Sequence, residues 1–265
     1  MALLPSSFFS SVEQIPGLPR KLRWYMVLIV TLSAMNYPDE IPNVWQHFSE
    51  HYLARLEPEE RLVAARKIRE ALTKSVGIVG AAKTGTSIRL LSTVTPDELK
   101  DRESFRDKED ASTASARGKV LHTKIYGRNP LFNPQATVDA SPDYAFVIRG
   151  IAAQFSSLLR ILLIGSLSRL GVLTSHEPDL FYGRIFSFDE ILDDVETGHI
   201  IISALIGIDC HPQMKHHMIG LLINGQSRED IEQTRSLCYG VADLLGVKFR
   251  HPKGQIPEVP VASEG

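Results

Sequence analysis

Apolar residues recur at helical spacing along most of the chain, and this pattern sets the fold class. In PEERLVAARKIREALTKSVG, Leu62, Ala65, Ile68, Leu72 and Val76 form one stripe while arginines and lysines take other positions. Pro58 stands where a first turn tolerates proline, and Gly77 and Gly80 mark the end. SREDIEQTRSLCYGVADLLGV opens at Ser227 and carries Ile231, Leu237, Val241 and Leu245 as another apolar face. Similar entry chemistry predicts helix starts at Thr95 in TPDEL, at Ser141 in SPDYAF and at Ser187 in SFDEI. Alternating β-branched runs are scarce, so the chain reads as all-α.

The pattern also repeats. VTLSAMNYPDEIPNVWQH and IISALIGIDCHPQMKHH each give an apolar helix, a short break and Pro-x-x-x-x-His, with Pro42 to His47 matching Pro212 to His217. A capped helix follows each copy, EPEER in one and SREDI in the other. A duplicated helical unit accounts for this, since each copy must bury its apolar face against a neighbour. Residues 1–21 read as a flexible N-terminal segment, 22–250 as the helical domain, and the proline-containing 251–265 as an extended tail. DRESFRDKEDASTASARGK, charged and rich in small residues, is either a frayed helix or a mobile loop.

Composition narrows the partners. The 265 residues are 43% hydrophobic with a formal charge of −2 and no long block of one sign, which points to neither nucleic acid nor a membrane. No apolar run reaches the roughly 18 residues of a span. Two cysteines, Cys210 and Cys238, make no disulfide framework and fit a reducing compartment. The cytoplasm is therefore expected. The mitochondrion is the alternative, because the Ser-rich, acid-poor N-terminus ends in a basic cluster. The terminal ASEG is not a peroxisomal tripeptide.

Candidate chemistry gathers between Tyr182 and Ile231. On a helix opening near Asp193, Glu196, Ser203, Gly207 and Cys210 share a narrow sector, with His199 flanking it. On the next helix Gln213 and His217 stand four residues apart, and Asn224-Gly225 ends it. Carboxylate, imidazole and thiol facing one dry pocket would shift a glutamate or histidine pKa toward neutrality. The bland readings are a first-turn glutamate favoured by the helix dipole, a structural histidine like His47, and a cysteine acting as a small hydrophobe. No H-E-x-x-H occurs, so neither metal nor cofactor is expected.

The stretch YGRIFSFDEILDDVETGHIIISALIGIDCHPQMKHHMIGLLINGQSREDI resembles the carboxymuconolactone decarboxylase-like motif of the alkyl hydroperoxidase D superfamily, in the long form found in fungi. The resemblance implies a multihelical alkyl hydroperoxidase D-like bundle, assembled as a trimer or hexamer. It places the family glutamate on Glu196 and the histidine on His217. The Cys-x-x-Cys of redox members becomes Cys210 and Gln213, so the second thiol is missing, and Val195 replaces an arginine that often precedes the glutamate. The expected activity is proton transfer, decarboxylation or isomerisation, on a small carboxylate or lactone. Glu196, His217 and Cys210 are the catalytic candidates; His199, Ser203, Gln213 and Tyr182 are the substrate contacts. The alternatives are a thiol-dependent peroxidase acting through Cys210 and a non-catalytic oligomeric helical protein. Residues 150–178 interrupt the family pattern as a membrane-active or lid helix or, as favoured here, a translated intron.

Overall fold

The computed structural model describes residues 4–141 and 181–250, and no strand occurs among them. The expectations for 150–178 and for the 251–265 tail lie outside the described residues. The chain divides into two units, one formed from Met1–Glu103 with Asp189–Gly265 and the other from Ser104–Phe188. The sequence reading takes 22–250 as one helical domain.

The first unit starts with α1 (Ser6–Glu13) and α2 (Leu18–Met35), followed by α3 (Ile41–His51), α4 (Pro58–Val79) and α5 (Ala81–Val94). Within the N-terminal segment expected to be flexible, Ser6–Glu13 is helical: Phe9 and Val12 give α1 a buried face, and Leu4 N donates to the Glu40 carboxylate. α2 is apolar on nearly every side from Tyr25 to Ala34 and forms the centre of the core. A helix buried all round is what that continuous apolar run requires. α4 begins and ends as its sequence predicts, with a Glu57–Glu60 capping box, Pro58 in the first turn and Gly80 at φ 91° after its last residue.

The unit resumes after the second one with α8 (Asp194–Gly207), α9 (His211–Ile223) and α10 (Arg228–Leu244). Asp193 caps α8 and Ser227 caps α10 through their side chains. The repeated pattern is visible as geometry. α2 and α8 are each followed by a left-handed residue, Asn36 at φ 66° and Asp209 at φ 60°. The helix after each break, α3 or α9, carries a proline in its first turn, and a capped helix follows.

The second unit holds α6 (Ala111–Tyr126), α7 (Pro134–Ala140) and a π-helical turn, Tyr182–Phe186. The segment at 101–119 that read as frayed or mobile therefore enters a helix, capped by Asp110. Gly118 and Gly183 let α6 and the π-turn meet: a Cβ on Gly118 would lie 2.6 Å from the Gly183 nitrogen. Two predicted helix starts fail. Thr95 closes α5, its hydroxyl donating to the Leu91 carbonyl, and only a 3₁₀ turn follows. Ser187 likewise ends the π-turn, donating to the Gly183 carbonyl. A hydroxyl can cap the start of a helix or bond back to the last turn, and spacing does not tell these apart.

Candidate functional site

The N-terminus of α8 opens on a cleft. Asp193 and Glu196 form a reciprocal capping box, with the Asp193 N–H donating to Glu196 Oε2 at 3.2 Å. Glu196 Oε1 accepts from Lys67 Nζ on α4 at 2.6 Å. The pair lines a cavity of about 430 Å³ whose apolar walls include Leu18, Leu22, Leu56 and Val63. Tyr52 and Glu60 add polar groups to the same cavity. Burial, and then the charges of Glu60 and Glu196, push the Tyr52 phenol up to about 12, so it stays a hydrogen-bond donor. A phenol, an ammonium and a carboxylate at one apolar-walled cleft can bind an acid and move a proton.

One turn further along α8, His199 is fully buried. Its Nε2 lies 3.2 Å from an Arg23 guanidinium nitrogen and its Nδ1 lies 2.8 Å from Thr234 Oγ1. Arginine can only donate, so Nε2 accepts and the proton sits on Nδ1, donated to Thr234. Arg23 also bonds Asp230 at 2.8 Å. Burial, then the Arg23 charge, lowers the His199 pKa to about 4. His199 is thus the neutral centre of a bridge among α2, α8 and α10, and it does not line the cleft.

The seam expected to carry chemistry is a packing line. A Cβ on Gly207 would lie 2.4 Å from Ala34 Cβ and 3.3 Å from the Thr31 carbonyl, so small residues let α8 approach α2 closely. Buried Ser203 returns its hydroxyl to the His199 carbonyl at 2.6 Å. Cys238 lies beside the Thr31 hydroxyl at 3.2 Å, and burial pushes its thiol up to about 11. Cys210 is half-buried just before α9, and both cysteines are free. A protonated, fully buried Cys238 is a poor resolving thiol.

Glu196 and His217 do not face each other. Leu221 marks the side of α9 that meets α8, because its Cδ2 lies 2.5 Å from the Cβ position of Gly198. His217 is one turn before Leu221 and shares that side. Glu196 precedes Gly198 by two residues, about 200° around the helix, and points to Lys67 on α4. The Glu196 carboxylate is therefore held by Lys67 and by the Asp193 backbone N–H. His217 is buried in α9, whereas Gln213 is exposed. His211 is also buried, its Nε2 within 2.8 Å of Asp209. Tyr182 lies in the second unit, donating to the Tyr126 hydroxyl at 3.1 Å.

Comparison with known proteins adds two relatives. A Schizosaccharomyces pombe protein named Peroxisomal protein 2 is 27% identical over 239 residues, covering 90% of this chain and 94% of the relative. A Saccharomyces cerevisiae protein of the same name is 22% identical over 280 residues, covering 86% and 90%. No family model and no solved structure matches.

Lys67, Tyr52 and Arg23 are the site residues that sequence reasoning missed. A signal existed for the first. Lys67 and Lys74 stand seven residues apart on α4, and Lys74, fully buried, donates to Thr197 at 2.8 Å while Lys67 takes Glu196. Two lysines one heptad apart beside an apolar stripe can mark a helix that grips carboxylates or hydroxyls on a neighbour.

Proposed function

We propose that the chain binds a small amphipathic carboxylate in the Lys67–Glu196 cleft and carries out proton transfer on it. The supporting observation is the 2.6 Å Lys67–Glu196 pair set among apolar walls. A ligand carboxylate replaces Glu196 on Lys67 Nζ, and its hydrocarbon lies along Leu18, Leu22, Leu56 and Val63. Glu196, released from the lysine and partly desolvated by the ligand, becomes the proton acceptor, and Tyr52 donates to a developing oxyanion. This keeps the decarboxylation or isomerisation suggested by the resemblance to carboxymuconolactone decarboxylase-like proteins, with Lys67 and Tyr52 in the partnership first assigned to His217. A trimer or hexamer belongs to the same reading.

Titration calorimetry with octanoate tests the site. Saturable binding is expected, weakened about tenfold or more by Lys67→Met, consistent with a charge-assisted contact of about 1.5–3 kcal/mol. Glu196→Gln frees Lys67 and should bind octanoate at least as tightly as the native chain. Loss of binding in Glu196→Gln, with Lys67→Met unaffected, would overturn the assignment.

The names of both relatives support a peroxisomal rather than cytoplasmic setting. Among the described residues no helix is long and apolar enough to cross a membrane. A fluorescent fusion should coincide with a peroxisomal marker; diffuse fluorescence would reject this location.

A further inference from the structure

Away from the cleft, α1 meets α3 through imidazoles. His47 and His51 stand four residues apart on α3, a spacing that the sequence reading overlooked. Their rings stack at 4.2 Å between centroids, and Phe9 covers the other side of His47 at 4.6 Å. His47 Nδ1 lies 2.9 Å from the Tyr25 hydroxyl, which fixes the ring and leaves Nε2 for another partner. Glu13, at the end of α1, places Oε1 2.5 Å from His51 Nδ1. One donor atom from each of Glu13, His47 and His51 lies within 4.8 Å of the others.

We propose that Glu13, His47 and His51 bind a zinc-class divalent transition metal that ties α1 to α3. The chemistry fits in three respects. Two imidazoles and one carboxylate form a known zinc donor set, with water completing the tetrahedron. A tyrosine hydroxyl on the far nitrogen of His47 is the kind of outer partner that orients a metal-binding histidine. The local charge also favours a cation, because Glu50 adds a carboxylate oxygen 4.0 Å from His51 Nε2. The donors must close from within 4.8 Å to the edge of a zinc tetrahedron, about 3.3 Å for bonds near 2.0 Å. His51 and Glu13, whose side chains are 39% and 44% exposed, have room to make that movement. His51 must also rotate off the His47 ring, since stacked imidazoles do not aim their lone pairs at one point.

The test uses the full chain, stripped with a chelator and titrated with Zn²⁺ in competition with a chromogenic chelator. One ion per chain is expected, with a raised thermal midpoint because the ion binds only the folded state. Co²⁺ in the same site should show the visible absorption of a tetrahedral complex. His51→Ala and Glu13→Gln should each weaken binding at least about tenfold while leaving far-UV dichroism unchanged. These partly exposed positions avoid the packing loss that His47 replacement brings. No binding tighter than roughly 100 µM would overturn the proposal. Binding unchanged in both variants would do so too, by placing the ion elsewhere, for example at His211 and His216.

Discussion

A histidine held neutral between an arginine and a threonine makes the fold sensitive to acid. His199 is fully buried, and its pKa falls from 6.5 to about 4. The groups that face it are Arg23, Thr234, Gln226, Asp230 and Asp193. Above pH 6.5 the imidazole is neutral whether the chain is folded or not, so it adds no pH dependence. Between about 6.5 and 4 the unfolded chain takes a proton that the folded chain refuses, and stability falls as pH falls. At about 1.4 kcal/mol per pKa unit, the full loss is roughly 3 kcal/mol. Urea midpoints measured from pH 7 to 4.5 should therefore decline in the native chain. In His199→Gln they should start lower, by about 1–3 kcal/mol for the disturbed bonds, but decline less. The lowered His47 pKa acts in the same direction and is common to both proteins, so the difference in slope belongs to His199. Parallel slopes would mean that His199 takes up its proton at the same pH in the folded and the unfolded chain.

Two glycines of α8 show how helix contacts decide what a substitution does. At Gly207 a methyl group would meet the Cβ of Ala34, which has nowhere to turn, so Gly207→Ala should destabilise by about 1–3 kcal/mol. At Gly198 the obstacle is the end of the Leu221 side chain, which can rotate, and alanine brings about 0.8–1 kcal/mol of helix propensity. Gly198→Ala should thus stay within about 1 kcal/mol of the native chain, and paired thermal melts of the two variants would reveal the contrast. The same glycines explain what could be read from the sequence. Periodicity correctly marked α4, α8 and α10, because a buried stripe and its cap are local properties. It also placed Glu196, Ser203 and Gly207 on one face of α8. Which neighbour that face meets depends on tertiary packing, and it meets α2 and α4 instead of α9. The Glu196–Lys67 pair joins residues 129 apart in sequence, which no local pattern encodes. Thr95 and Ser187 misled for a related reason: hydroxyls that spacing assigns to a cap bond backward into a preceding turn.

At the level of the whole molecule, the first unit is assembled from two separated stretches of chain. Among the described residues, its hydrophobic core runs from Leu4 to Leu99 and then from Leu192 to Leu245, with no described residue of Ser104–Phe188 in the cluster. The described residues that pack, partly buried, against that core also come from these stretches, ending at Phe249. Every described residue lining the Lys67–Glu196 cleft belongs to the same unit, as do Glu13, His47 and His51. Folding free energy arises where apolar surface is buried, so a unit with its own core can fold alone. Replacing residues 104–188 with a Gly/Ser linker of about 15 residues shortens the connection, and the entropic cost of closing it changes little, since that cost varies only with the logarithm of length. The shortened chain should keep its helical dichroism, unfold in one cooperative urea transition and show the acid sensitivity of His199. It should also bind octanoate and Zn²⁺ as the full chain does. A shortened chain that folds cooperatively but no longer binds octanoate would assign part of the ligand site to Ser104–Phe188, where Tyr182 lies. A chain that loses cooperative unfolding would show instead that the first unit depends on the second for its stability.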